Sequence, residues 1–223
     1  MKARAQVHVL VMAKAPVPGR VKTRLCPPLS PAEAAAVAEA ALADTLAAVA
    51  GCGADHKIVA LDGVRGEWLP AGMRVVPQHG RGLAERLAHA WATTWPLTGG
   101  WGVQIGMDTP QVTSAELDAL LEMVVSQPRA AVLGPATDGG WWTIGLRGTD
   151  PRRVFGGVPM SSACTGAAQL ARLQALGLQV RTVHTHRDID TFTDLAAVAP
   201  AIPDSRTAGA WREWAGAASA RAS

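Results

Sequence analysis

Cysteine is scarce in this 223-residue sequence: Cys26, Cys52 and Cys164 are odd in number, far apart, and include no CxxC pair. That argues against a disulfide framework and a zinc knuckle, and makes a reducing cytoplasm the expected location. Charge is sparse as well. Charged residues make up 17% and hydrophobic ones 48%, a balance that argues against disorder through most of the chain and allows one sizeable core. A net charge of +3 is too small and too scattered to predict a nucleic-acid partner. The apolar run "VHVLVMA" is short, contains His8, and reads as a first core strand, not a signal peptide or membrane span, so no membrane partner is expected. No internal repeat, GxSxG elbow or HExxH motif occurs, which lowers the hydrolase and metalloprotease readings.

What the sequence does contain is strand and helix patterns in alternation. Val7 to Ala13, "HKIVAL" and "MRVVPQ" read as strands by their β-branched content. "SPAEAAAVAEAALADTLAAVA" is a helix with Ser30 as N-cap, Pro31 at the first position and Glu33 closing a capping box. "GLAERLAHAWATTW" carries apolar residues at helical spacing, "GVQIGMD" is a strand ending on a carboxylate, and "TSAELDALLEMVVSQ" has its own Thr113–Glu116 capping box. "RAAVLGPATDGGWWTIGL" reads as strand, turn, strand. "SSACTGAAQLARLQALG" is a helix stopped at Gly177, "LQVRTVHTH" a late strand, and "DIDTFTDLAAV" the start of another helix. The alternation predicts an α/β fold with a mostly parallel central sheet and helices on both faces. Residues 1–200 are expected to form a single domain, and 201–223 a peripheral C-terminal tail with one short helix.

In such sheets ligands bind beyond the carboxyl ends of the strands, and the polar clusters fall there. The stretch "KAPVPGRVKTRL" follows the first strand directly and sets Lys14, Arg20, Lys22 and Arg24 around Pro16, Pro18 and Gly19. Prolines stiffen the loop, and Gly19 permits close approach or an unusual dihedral. Cations on a preorganised loop suit a nucleotide phosphate. The loop is not a Walker A motif, and "GRGLAE" has Glu85 where a dinucleotide fingerprint needs its third glycine.

"IGMDTP" puts Asp108 at a strand end, where a hard carboxylate serves either as a ligand for Mg²⁺ or Mn²⁺ or as a turn residue. In "RDIDTFTDL", Asp188 or Asp190 is the candidate second metal ligand, and Asp194 reads as a first-turn helix charge. On a continuous strand His184, His186, Asp188 and Asp190 would share one face, a second and weaker metal candidate. "GPATDGGWW" offers Asp138 to orient an acceptor or act as a base. Gly139 and Gly140 allow close backbone approach, and one of Trp141 and Trp142 could stack on a sugar or base while the other joins the core. "PQHGRGLAERL" brings Gln78, Arg81, Gly82 and Arg86 as further nucleotide or acceptor contacts.

The runs "AKAPVPGRVKTRL", "QHGRGLAERL", "IGMDTP", "LGPATDGGWWTIGL" and "DIDTFTDL", in this order over residues 7 to 198, resemble the rSAM/selenodomain-associated transferase 1 family. Its members are GT-A type glycosyltransferases. "VKTRL" with "DIDTFTDL" is also similar to the phospholactate guanylyltransferases. The resemblance implies the GT-A, or nucleotide-diphospho-sugar transferase, fold. It implies divalent metal at Asp108 and Asp190, and phosphate contacts from Lys22 with Arg20 or Arg24. It departs from the family at Trp141 and Trp142, where tyrosines are usual, and near Met160, where "VPMSS" has no aromatic, so acceptor identity is not carried over.

The expected activity is transfer of a sugar from a nucleotide sugar to a small-molecule acceptor with Mg²⁺ or Mn²⁺ as cofactor. Lys22, Asp108 and Asp138 are the catalytic candidates. Lys14, Pro18, Gly19, Arg20, Lys22, Arg24, Gln78 and Gly82 are the nucleotide-binding set, and Asp138, Gly139, Gly140 and Trp141 face the acceptor or sugar. The alternatives are a nucleotidyltransferase, which takes an NTP and a phosphorylated small molecule and releases pyrophosphate, and a non-catalytic nucleotide-binding module.

Overall fold

A computed structural model of the chain describes residues 5–222; residues 1–4 and 223, the outer ends of the two expected segments, lie outside it. The strands are β1 (His8–Lys14), β2 (His56–Asp62), β3 (Arg74–Pro77), β4 (Trp101–Gly106), β5 (Ala130–Pro135), β6 (Trp141–Arg147) and β7 (Gln179–Thr182). The helices are α1 (Pro31–Gly51), α2 (Leu83–Ala92), α3 (Trp95–Thr98), α4 (Ser114–Ser126), α5 (Pro151–Phe155), α6 (Thr165–Ala175), α7 (Phe192–Val198) and α8 (Arg206–Ala222). The strands form one seven-stranded sheet in the order β3-β2-β1-β4-β6-β5-β7. Every neighbouring pair is parallel except those made by β6, which runs against β4 and β5. The expected α/β architecture with a mostly parallel sheet is therefore present.

Alternation along β1 divides the core. Val9, Val11 and Ala13 pack with one face of α1 and with Leu117, Leu120 and Val124 of α4, while Leu10 points to the opposite layer with Leu87 and Trp91 of α2. His8 is fully buried, donates to or accepts from Thr98 Oγ1 through Nδ1 at 2.8 Å, and meets Trp91 edge-on. Burial, with the charge of His56, pushes its pKa down to about 3, so it stays neutral in the fold.

By length and composition α1 could cross a bilayer, yet here it is a core helix. Ala35, Ala38, Leu42, Leu46 and Val49 face the sheet. Ala34, Val37 and Ala41 face a third cluster with Leu195, Val198, Trp211 and Trp214, supplied by α7 and α8. Asp44 of α1 fixes the start of α8 by accepting from the backbone N–H groups of Arg206 (3.0 Å) and Thr207 (2.8 Å).

The segment expected as a peripheral tail with one short helix instead forms the 17-residue α8, because Trp211 and Trp214 have the apolar flank of α1 to cover. Three boundaries also differ from the sequence expectation. The helix predicted across 82–95 breaks after Ala92, because Thr93 and Thr94 donate their hydroxyls back to Ala90 and Trp91 carbonyls and Pro96 has no N–H to continue the ladder. The helix predicted from Ser161 starts at Thr165, after a turn in which Ser161 takes a positive φ of 58°. The strand predicted through His186 ends at Thr182. Beyond the Leu133–Thr182 pair only the isolated Ala136–His186 bridge continues the ladder with β5.

Candidate active site

The carboxyl ends of β1 and β4 lie side by side in the middle of the sheet, and the loops that leave them converge. After β1 the chain turns at Pro18, Gly19 and Arg20, all exposed, with Gly19 at a φ of 72° that a side chain would strain. Val21 then plugs the core, and Lys22 follows in the left-handed region (φ 48°, ψ 38°). A lysine there is an uncommon, strained choice, and it carries the side chain inward. Its side chain is only 8% exposed.

The Lys22 ammonium donates to Asp108 Oδ2 at 2.7 Å and stands 3.7 Å from Asp190 Oδ1. Burial alone would lower the lysine pKa, but Asp108, with Asp190 and Asp188, outweighs it and holds the group above its ordinary value. Arg24, on the 3₁₀ turn Thr23–Leu25, closes the cluster with a 2.5 Å bond to Asp190 Oδ2. Asp108 is tied to the Asp188–Asp190 segment by its carbonyl, which accepts from the Ile189 N–H at 2.9 Å. Loops 86 and 166 residues apart from the lysine and arginine are thereby brought to one point.

Asp188 is the residue whose place the sequence left open. Desolvation, then the charges of Asp108 and Asp138, push its pKa up to about 6. Asp188 thus lies close enough to Asp108 and Asp138 to feel the charge of both. Asp138 itself is exposed and accepts from the Gly140 N–H at 2.7 Å in an Asx turn.

The expected shared face of His184, His186, Asp188 and Asp190 does not form, because the strand ends first. Both histidines turn to Glu116, and the aspartates turn to Lys22 and Asp108. Asp194 closes a capping box with Thr191 and pairs with Arg187 at 3.0 Å, as a first-turn helix charge should.

A cavity of about 360 Å³ beside this cluster is lined by Lys14, Gln78, Gly82 and Arg86, with Asp62, Met107 and Ser161. Three of the predicted nucleotide contacts, Lys14, Gln78 and Gly82, are therefore neighbours. Gln78 gives its amide hydrogens to the carbonyls of Ala13 (2.8 Å) and Ala60 (2.9 Å), so it splices β1 to β2 at the cavity wall. Arg86 pairs with Asp62 at 2.9 Å, and Gly82, at φ 81°, begins α2. A larger cavity of about 590 Å³ lies at the other edge of the sheet, beside Val7 and Trp101 at the strand starts. Chemistry, not size, marks the site.

The glycines and tryptophans after Asp138 are partly structural. Gly139 has a φ of 88°, and a Cβ there would strike the Ala163 carbonyl; its own carbonyl accepts from Gly166 N–H at 2.8 Å. The close approach at Gly139 is to the start of α6. Trp142 is buried and donates Nε1 to the His184 carbonyl at 3.1 Å, which makes it the core member of the pair. Trp141 is half-buried and stacks on Phe155 at 6.3 Å.

Sheet order, the lone antiparallel strand and the polar cluster at the carboxyl edge define an α/β transferase architecture. A candidate nucleotide-diphospho-sugar transferase from Desulfovibrio desulfuricans G20 superposes with a TM-score of 0.83 at 25% identity, over 94% of this chain and 95% of that one. Rv0371c from Mycobacterium tuberculosis H37Rv, in complex with manganese, gives 0.56 at 23% identity over 88% and 98%. CMP:2-keto-3-deoxy-manno-octonic acid synthetase complexed with CTP gives 0.57 at 13% identity over 87% and 97%, a likeness of fold alone. No curated protein matches the sequence. The chain belongs to the DUF2064 family, described as uncharacterized proteins conserved in bacteria, whose pattern matches residues 33–162.

Proposed function

We propose that the protein is a Mg²⁺- or Mn²⁺-dependent glycosyltransferase of the GT-A type, of the rSAM/selenodomain-associated transferase 1 kind, acting on a small-molecule acceptor. The observation that carries this reading is the meeting of Lys22, Arg24, Asp108 and Asp190 at the carboxyl ends of β1 and β4. Two hard carboxylates aimed at one point suit a divalent cation, and the Lys22 ammonium already answers their charge there. Asp108 and Asp190 would hold the ion, which when bound supplies Lewis-acid stabilisation of a diphosphate.

In this reading Lys22 and Arg24, with Lys14 and the Pro18–Gly19–Arg20 tip, hold the phosphates. Gln78 and Gly82 border the nucleotide in the 360 Å³ cavity. Trp141 and the Gly139–Gly140 backbone flank the sugar or acceptor. Asp138 orients the acceptor hydroxyl and takes its proton as the oxygen attacks the anomeric carbon, and the bond to the nucleoside diphosphate breaks. Residues 1–200 are the transferase domain, and the segment after them adds α8 as a cover over α1. Three unpaired cysteines fit a cytoplasmic location.

A second reading is nucleotidyl transfer, with an acceptor phosphate attacking the α-phosphate of an NTP and pyrophosphate leaving. It is favoured by the density of cations on the first loop, which suits an in-line phosphoryl transition state. Thermal melts with each NTP and a panel of nucleotide sugars, with and without Mg²⁺ or Mn²⁺, separate the two. Metal-dependent stabilisation by one nucleotide sugar and not by its triphosphate is the expected result. Preference for a triphosphate would replace the first reading with the second, and metal-independent binding without turnover would leave a binding module.

A further inference from the structure

Outside the Lys22 cluster, Glu116, His184 and His186 bring three potential ligand atoms together. Glu116 Oε1 lies 2.5 Å from His184 Nε2 and 2.9 Å from His186 Nε2, and the two nitrogens are 3.0 Å apart. With Glu116 ionised, no distribution of protons gives all three contacts a donor and an acceptor. If both rings donate to Oε1, their hydrogens crowd across a 3.0 Å gap with no acceptor between the nitrogens. If one ring accepts from the other, its bare nitrogen faces the carboxylate lone pair to lone pair. A cation that takes a lone pair from each atom removes the conflict. With bonds of about 2.0–2.1 Å, neighbouring ligand atoms on such an ion stand about 2.9–3.4 Å apart, so the shortest side of the triangle must open by about 0.4–0.9 Å and the other two by about half an ångström at most.

The three side chains are held in place from outside. Glu116 is the third residue of the α4 capping box, with Oε2 turned to the Thr113 N–H. The backbone of His186 extends the sheet, donating to the Pro135 carbonyl and accepting from the Thr137 N–H. The His184 carbonyl accepts from Trp142 Nε1, and the Trp142 ring packs against both imidazoles. Glu116 and His186 are 16% exposed, while His184, at 55%, leaves one side open to water.

We infer that Glu116, His184 and His186 form a second metal site, distinct from Asp108 and Asp190, that takes a zinc-class ion through two imidazoles and one carboxylate with water completing the shell. Imidazole-rich sets favour Zn²⁺ and its neighbours in the transition series, whereas Mg²⁺ favours oxygen-only sets. The ion would pin the start of α4 to the segment that leads into Asp188 and Asp190.

The test is a Co²⁺ titration of the full chain in excess Mg²⁺, followed by visible absorption and then by displacement with Zn²⁺. The expected result is saturation at one Co²⁺ per chain and loss of the band on adding Zn²⁺. His184→Ala, at an exposed side chain, should weaken binding at least about tenfold, since losing even an outer partner of a ligand costs that much. Glu116→Gln should do the same, and Asp108→Asn should leave the band in place. No visible band, an affinity within twofold in folded His184→Ala, or loss of the band in folded Asp108→Asn would each overturn the inference. Should Glu116→Gln fail to fold, His184→Ala decides alone.

Discussion

The protein carries two polar clusters built from acids facing bases, and they solve the charge problem in opposite ways. Around Asp108 and Asp190 the chain supplies its own permanent cations, Lys22 and Arg24, at 2.7 and 2.5 Å. Around Glu116 the ion pairs among the described residues are with imidazoles alone, which carry a charge only when protonated. The first cluster is complete without any visitor and must rearrange to admit one. In the second, an ionised Glu116 leaves at least one of the three contacts without a matched donor and acceptor. The donor types, more than how well a cluster is already paired, decide which class of ion it suits.

The sharpest way to break this contrast is Asp108→Ala. It removes the carboxylate that both the lysine and the proposed ion use, and turnover should fall by about 100- to 1,000-fold or more, the scale seen when one preorganised electrostatic group is lost. Full retained turnover with intact far-UV CD would remove Asp108 from the chemistry. Lys22→Ala comes next. Losing a charged hydrogen bond should weaken nucleotide binding by about 1–3 kcal/mol, read by calorimetry. Unchanged affinity would return the loop to ordinary surface.

His8 sharpens the comparison from the other side, as an imidazole given a hydroxyl partner and no carboxylate. Its folded pKa of about 3 lies below the ordinary value of 6.5. The unfolded chain therefore binds the extra proton first. Its contribution to stability is complete above pH 6.5 and declines as pH falls from there towards 3, by at most about 1.4 kcal/mol per pH unit. Urea melts at pH 7 and pH 5 should show the decline, and His8→Gln should flatten it. The smallest effect is expected at Arg24→Ala. Arg24 is 73% exposed, and such pairs contribute less than about 1 kcal/mol, so the melting temperature should hardly move even though nucleotide affinity falls.

Much of this was legible in the sequence because local rules wrote it. Ser30 with Glu33 and Thr113 with Glu116 announced their capping boxes, and both form. The cation-rich loop after a central strand and the carboxylate at the end of "VQIGMD" pointed to one edge of the sheet, and Lys22 and Asp108 do meet there. What the sequence hid depends on where strands stop. The last strand stops at Thr182, level with Leu133 and two residues before Pro135, which has no N–H to give the ladder, and His184 and His186 part from Asp188 and Asp190 beyond it. Glu116 was hidden for a different reason. Its role as a helix cap explained it fully, and a side chain with two oxygens can serve a cap with one and a second partner with the other. Asp188 belonged to a doublet whose members no pattern tells apart; the burial that raises its pKa is a tertiary fact.

The cover that α8 lays over α1 has a consequence for synthesis. A ribosome delivers residues 31–51 long before residues 206–220, so the sheet and its first helix can assemble while Ala34, Val37 and Ala41 still lack Trp211 and Trp214 above them. During that interval the nascent domain shows a sticky flank that a chaperone would read as unfinished. A ribosome-stalled chain ending near residue 205 should be held by trigger-type chaperones, and release should follow once α8 emerges and Asp44 has received its two N–H groups.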